Sequence, residues 1–194
     1  MSPATLVDLA TKRKTARKFI KDSVNLEDVL YCIRVAAQAP SGANTQPWRF
    51  VIIDKLNFRE RIRKACEEQE RFFHERAQED LRQWFRAKNI TWQKPFLTDA
   101  PVLLAIFSNQ AMPYATESVW LAIGYVTLAL EERSLSTVTY TPTNPEKIRG
   151  LFNAPEEYKL EAILPIGHSL DPRDKEEKRA FQSLIYRDMW GRHI

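Results

Sequence analysis

Three short segments gather side chains that could grip a phosphate or lie against a flat ligand, although no glycine-rich phosphate loop occurs anywhere. In KRKTARKF, Arg13 and Arg17 stand four apart and would share a face in a helix, with Lys14 beside them; the same residues also suit a solvated basic turn. APSGANTQPW joins Pro40, Ser41, Gly42, Ala43, Asn44 and Gln46, which offer polar side chains and one of only five glycines. That glycine lets the backbone approach a flat ligand or take a positive φ, and it equally marks the stop between a helix and a strand. Late in the chain, KRAFQ presents Arg179, able to hold phosphate with two parallel hydrogen bonds or to sit on an exposed tail.

Other chemistries find little support. His74, His168 and His193 lie in unrelated contexts, and Cys32 and Cys66 have no CxxC or Cys/His spacing, so neither a metal site nor a disulfide framework is expected. No Ser/His/Asp or Cys/His arrangement is present, and an enzyme built on this chain would borrow its chemistry from a cofactor. Lys and Arg number 29 against 25 Asp and Glu, a modest excess that favours an anionic ligand. A reading of a different class is a non-catalytic nucleic-acid or ligand-binding protein, since basic charge interleaved with Trp and Phe can contact phosphate and stack on bases. Between residues 57 and 90, however, acids match the bases, no one-signed stripe develops, and no nucleic-acid partner is expected. The start of the chain lacks the pattern of a secretory signal, and the apolar run from Val119 to Leu130 is shorter than the ~20 residues that span a bilayer. A cytoplasmic protein without a membrane partner is expected.

The elements that must position these groups can be read from periodicity. Residues 5–13 and 25–38 carry helical spacing, the second with Asn25 as cap and Leu26, Val29, Leu30, Ile33 and Ala37 on one face. Residues 49–54 and 101–109 read as strands, the latter buried because its apolar residues do not alternate. Residues 57–87 are dense in charge with scattered aromatics, as one or two surface helices would be. Residues 116–133 form a helix apolar nearly all round, which places it at the centre of the fold. A β-branched strand in LSTVTYTPTN, a short helix in PEKIRGLF, a strand in LEAILPIGHS and a charged tail complete the chain. One α+β domain is expected over 1–194, with a small mixed sheet flanked by helices.

Taken together, RKTARKF, AAQAPSGANTQPWRFVIID, NITWQKPFLTDAPVLLAIF, TVTYTPTNPEKIRGLF and ILPIGHS resemble, in order and from about residue 12 to 180, the FMN-dependent nitroreductase family and its iodotyrosine deiodinase branch. The resemblance implies a nitroreductase-like sandwich and an FMN at a homodimer interface. It gives the phosphate to Arg13, Lys14, Arg17 and Arg179, and the turn of Pro40, Ser41, Gly42 and Asn44 to the isoalloxazine ring, where a side chain at Gly42 would compete for space. Thr139, Tyr140 and Thr141 match a segment that approaches the flavin. Thr139 is then the candidate to hydrogen-bond N5 and to favour one-electron chemistry; its alternative is a plain Thr-rich strand.

The same resemblance implies that the substrate's zwitterion is clamped by a Glu, a Tyr four residues on and a later Lys. These positions fall on Gln69, Phe73 and Lys94, with Glu70 adjacent. Gln69 cannot pair with an ammonium group as a carboxylate would, and Phe73 lacks the phenol, which argues against a halotyrosine. Ala43 matches a position whose N–H meets a substrate oxygen. The implied activity is reduction of a small aromatic acceptor: dehalogenation of a halophenol or, alternatively, NAD(P)H-dependent nitro or quinone reduction. Residues 57–96 would be a lid, and residues 170–194 an arm on a partner subunit.

Overall fold

The computed structural model describes residues 4–193. Residues 1–3 and 194 of the expected 1–194 domain, the last also the end of the expected 170–194 arm, lie outside the described residues. Four strands, β1 (Trp48–Ile53), β2 (Val102–Asn109), β3 (Ser136–Thr137) and β4 (Tyr158–Gly167), form a sheet of order β1-β2-β4-β3. Every ladder is antiparallel, and the mixed character expected of the sheet is confined among the described residues to a parallel bridge between Thr15 and Thr137.

The sheet is covered on both faces, as the unbroken apolar runs of β2 and β4 require. Along β2, Val102, Leu104 and Ile106 enter one core with α2 (Leu26–Ala36) and α6 (Ala115–Glu132), while Leu103, Ala105 and Phe107 enter a second core with α3 (Leu56–Arg76), α5 (Phe96–Asp99) and α7 (Pro145–Leu151). This is the period-two alternation of a strand buried twice. A register shift between Ile106 and Phe107 places one extra residue, Glu161, on β4. Its carboxylate is buried yet accepts hydrogen bonds from Ser108, Thr116, Trp120 and Lys159. Burial opposes its ionisation, but the Ser108, Thr116 and Lys159 bonds win and hold its pKa below the usual carboxylate value.

Local signals start the helices. Thr5 and Asp8 form a reciprocal capping box on α1 (Leu6–Lys12), Asn25 caps α2, and Asn144 caps α7 with Pro145 in its first turn. On α2 the buried residues are Val29, Cys32 and Ala36; Leu26, assigned to that face from spacing, is 49% exposed at the first position of the helix.

Helix α6 departs from its expected all-round burial. Val119, Ala122, Ile123, Val126 and Leu130 face the core, but Trp120, Leu121 and Tyr125 are 39%, 50% and 39% exposed. Only one side of the helix meets the sheet, so its second apolar stripe is left on the surface. The segment after Leu135 makes a strand of two residues, not the longer one expected. Pairing lapses at Val138 and Thr139, Tyr140 rejoins the sheet through a bridge to Ile163, and Pro142 then ends it. Helices α3 and α4 (Glu79–Ala87) account for the charged stretch, and among the described residues no helix is long and apolar enough to cross a membrane.

Candidate functional site

After α1 the chain runs extended, held by Ala16 N–H to Thr137 O at 3.0 Å and Ile20 N–H to His168 O at 2.9 Å. Arg13 and Arg17 therefore do not share a helical face; they come together through the period of two in an extended chain. With Lys14 they line a cleft of about 1090 Å³. Arg173, Lys175 and Lys178 of the tail, Thr139, Tyr140 and Thr141, and Glu70, Trp84 and Lys94 complete much of its wall.

The cations at this end of the cleft have different duties. Lys14 Nζ donates to the carbonyls of Asp171 at 2.9 Å and Arg173 at 2.7 Å, so it secures the tail. Asp171 accepts from the Arg17 N–H at 2.8 Å and from Arg173 Nε at 2.8 Å. The Arg173 guanidinium, opposed by burial, holds the Asp171 carboxyl far below the usual range. Among the described residues, the guanidinium groups of Arg13 and Arg17 and the ammonium of Lys178 line the cleft without an intramolecular hydrogen bond or ion pair. Burial and then Arg173 lower the pKa of Arg17, as desolvation beside a like charge should. A guanidinium kept there without a carboxylate of its own is suited to an external anion. Arg179 is exposed and lies off the cleft; its neighbour Lys178 takes the cleft position.

The other end is organised around Glu70. Ile62, Cys66, Glu70 and His74 recur every four residues on α3 and so lie along one face. Ile62 and Cys66 anchor that face in the core, which carries Glu70 inward at 7% exposure. Lys94, also 7% exposed, sets Nζ 3.1 Å from Glu70 Oε2. Tyr140 Oη at 3.0 Å and Thr143 Oγ1 at 2.7 Å both donate to Glu70 Oε1. His74 Nε2 is 3.9 Å from Oε2, and its ring stacks on Phe85 with centroids 4.2 Å apart. Burial and then Lys94 lower the His74 pKa, with Glu70 opposing them, so the imidazole is neutral near pH 7. Burial, Cys66 and Glu70 push the Tyr140 phenol well above its usual pKa and keep it a donor.

This arrangement corrects the expected clamp. Gln69 and Phe73 are rotated off the inward face: Gln69 Oε1 accepts from Asn144 at 3.4 Å, and Phe73 is 41% exposed. The acid on the inward face of the helix is Glu70, and the residue four positions on is His74. Tyr140, expected at the cofactor, turns its hydroxyl to Glu70 instead. Thr139 lines the cleft half-buried with its hydroxyl unused by the described residues, and exposed Thr141 lines it also.

The turn from Pro40 to Gln46 is elsewhere, packed on the start of α6. Gly42 N–H donates to Ser118 Oγ at 3.1 Å, and Gln46 N–H donates to Ser41 Oγ at 3.1 Å. Positive φ falls on Ala43 (48°), Asn44 (54°) and Gln46 (46°), not on Gly42. Within this chain the space at Gly42 is required by Tyr114: a Cβ there would lie 2.6 Å from Tyr114 Cδ2 and 2.9 Å from its Cβ. The Tyr114 ring is 70% exposed and can swing, but its Cβ is fixed by the backbone. Gly42→Ala is expected to cost about 1–3 kcal/mol in urea unfolding. Adding Tyr114→Gly should return most of it, since that change removes the obstructing Cβ and relieves a residue at φ 52°. A Gly42→Ala protein of unchanged stability would show that the turn moves freely off α6.

The nitroreductase family model matches residues 10–168, most of the chain. The chain belongs to the nitroreductase family. Its relatives sharpen the branch of these FMN-dependent oxidoreductases. The chain is 49% identical over 170 residues to the iodotyrosine deiodinase of Thermotoga neapolitana, covering 88% of this chain and 91% of that protein. It is 34% identical to the iodotyrosine deiodinase of Nematostella vectensis over 81% of this chain, and spans only 64% of that longer protein. A crystal structure of oxidised iodotyrosine deiodinase bound to FMN and 3-iodo-L-tyrosine superposes with a TM-score of 0.90 at 46% identity, covering 95% of this chain and 99% of that one.

Residues that the structure brings to the cleft or to Glu70 and that the sequence did not single out for that place are His74, Tyr140 as a partner of Glu70, Thr143, Arg173 and Lys178. A signal for the first was available, because the run Ile62, Cys66, Glu70, His74 keeps one helical register whereas Gln69 and Phe73 leave it. No local signal marks Arg173 or Lys178, whose place in the cleft depends on how an irregular tail crosses the sheet end.

Proposed function

We propose that this chain is an FMN-dependent reductive dehalogenase of small halogenated phenols that carry a charged amino-acid-like tail. The observation that carries the reading is that one cleft is lined by the unpartnered guanidinium groups of Arg13 and Arg17, by Thr139, and by the buried Glu70–Lys94 pair. The donor set fits FMN: Arg13, Arg17 and Lys178 would hold the phosphate, and the Thr139 hydroxyl is available to a ring nitrogen. When bound, FMN supplies the two electrons that, with one proton, convert an aryl–halogen bond to aryl–hydrogen and release halide. An NAD(P)H-dependent reductase or NAD(P)H itself would replenish them.

The protein's own part is to bind and orient. Lys94 offers a cation to the carboxylate of the tail, Glu70 Oε2 an anion to its ammonium, and neutral His74 a ring nitrogen beside both. Trp84, 51% exposed at the cleft wall, gives an aromatic face that can cover the substrate ring and exclude water. Ile62 and Cys66 fix the first part of the expected lid in the core, so the closing part narrows to the end of α3 and α4. Lys88 at the end of α4 pairs with Glu176 at 3.0 Å and ties this part to the tail.

The reading includes a homodimer, which an exposed apolar surface of the chain supports. The turn of Ser41, Gly42, Ala43 and Asn44 does not line the cleft of its own chain, and it packs on the start of α6, the helix that carries the exposed stripe of Trp120, Leu121 and Tyr125. Packing that stripe on a second copy would bury it and could bring each turn to the other copy's flavin. Phe181, Leu184 and Trp190, which are 71%, 57% and 91% exposed, would form the arm.

The test is to purify the protein, record its absorption between about 300 and 700 nm, and assay halide release from 3-iodo-L-tyrosine and 2-iodophenol under anaerobic dithionite. Bound flavin at about one per chain and iodide release from the tyrosine are expected. A protein that holds flavin but reduces only nitroarenes or quinones would overturn the dehalogenase reading. One that takes up no flavin would overturn the cofactor assignment.

A further inference from the structure

The carboxylate of the clamp is fixed from behind by the segment that carries Thr139. Both hydrogen bonds to Glu70 Oε1 come from that segment, Tyr140 at 3.0 Å and Thr143 at 2.7 Å, and they fill the two lone pairs of that oxygen. Only Oε2 is left toward Lys94 and His74. The phenol is itself held independently of the clamp. Tyr140 exchanges main-chain bonds with Ile163 of β4 at 3.1 and 2.8 Å, and its ring meets Phe96 edge-on with centroids 5.6 Å apart. A donor anchored to the sheet can therefore set the angle of a carboxylate carried by a helix whose far end belongs to the proposed lid.

Building on the clamp reading above, we infer that Tyr140 is a positioning residue that holds Glu70 so that Oε2 can be shared between Lys94 and a ligand ammonium group, and that it thereby determines preference for amino-acid substrates. Without the phenol, Glu70 Oε1 keeps one donor and the carboxylate is free to turn both oxygens onto Lys94. That closed pair would satisfy Lys94 and leave nothing for an incoming ammonium. A ligand lacking the amino group needs only a cation for its carboxylate and does not feel the change. A role in folding alone would weaken both ligands equally, so the ratio of their affinities isolates positioning from packing.

The experiment uses the FMN-loaded protein and follows quenching of flavin fluorescence during titration with 3-iodo-L-tyrosine and with its desamino analogue, 3-(4-hydroxy-3-iodophenyl)propanoate. Tyr140→Phe should weaken iodotyrosine binding about tenfold, the effect of one hydrogen bond to a charged group, and leave the desamino acid within about twofold. Thr143→Val should move the ratio in the same direction and serves where Tyr140→Phe folds poorly. Equal losses for both ligands, or no loss for either, would overturn the inference while leaving the clamp intact. Wild-type protein that holds FMN but binds neither ligand would overturn the clamp reading and this inference with it.

Discussion

Lys94→Met is expected to lower the unfolding free energy by about 3–5 kcal/mol, because it leaves the Glu70 carboxylate buried without its counter-charge. The side chains are 8% and 9% exposed, so water from the cleft replaces the ammonium only in small part. Lys94 also donates to Thr91 O at 2.6 Å, and its N–H donates to Glu67 Oε1 at 2.7 Å; the first bond is lost and the second is kept. The remaining donors, Tyr140 and Thr143, satisfy one carboxylate oxygen but carry no charge. Adding Glu70→Gln removes the orphaned charge and keeps an acceptor for the two hydroxyls. The double variant should therefore be more stable than Lys94→Met alone, with a coupling of about 1–3 kcal/mol in a double-mutant cycle read by urea midpoints. A Lys94→Met protein that loses less than about 1 kcal/mol would mean that the pair is open to solvent, as exposed ion pairs of that small worth are.

Sheet and helices were legible in the residues to within a few positions, since strand and helix periods are local properties. The two faces of β2 are an example: a run with no polar residue from Val102 to Phe107 can only be a strand covered twice. Helix α6 was legible as a helix but not in its placement, because a second apolar stripe reads the same whether it meets the chain's own core or remains for another copy. The basic segment does bring Arg13 and Arg17 to one side, but through the period of two in extended backbone and not through the helical spacing expected. The expected clamp residues lie apart for another reason. The resemblance places Gln69 and Phe73 by position along the chain, whereas the inward face of α3 is set by Ile62 and Cys66, which bring Glu70 and His74 inward. Gly42 is a point of close approach, and the atoms it makes room for in this chain belong to Tyr114.

Arg17→Ala should weaken FMN binding by about 10- to 100-fold, and the Arg13→Ala/Arg17→Ala pair by about a thousandfold, if these groups hold the phosphate. Among the described residues neither guanidinium makes an ion pair or side-chain hydrogen bond, and Asp171 and Glu176 act on Arg17 only from a distance, so removing one deletes a ligand contact without orphaning an internal partner. The Arg17 backbone N–H continues to donate to Asp171, which keeps the tail in place, and Lys14 still secures it through two carbonyls. Folding is therefore expected to survive, and stability of the apoprotein is the control. Riboflavin distinguishes the phosphate from the ring, because it lacks the phosphate and keeps the isoalloxazine. Its affinity should change by less than about threefold in Arg17→Ala, and the steep salt dependence of FMN binding should flatten as a cationic contact is lost. Equal losses for FMN and riboflavin would move Arg17 from the phosphate to the ring, while an Arg179→Ala protein that lost FMN as strongly would return the phosphate to the exposed tail and away from Lys178.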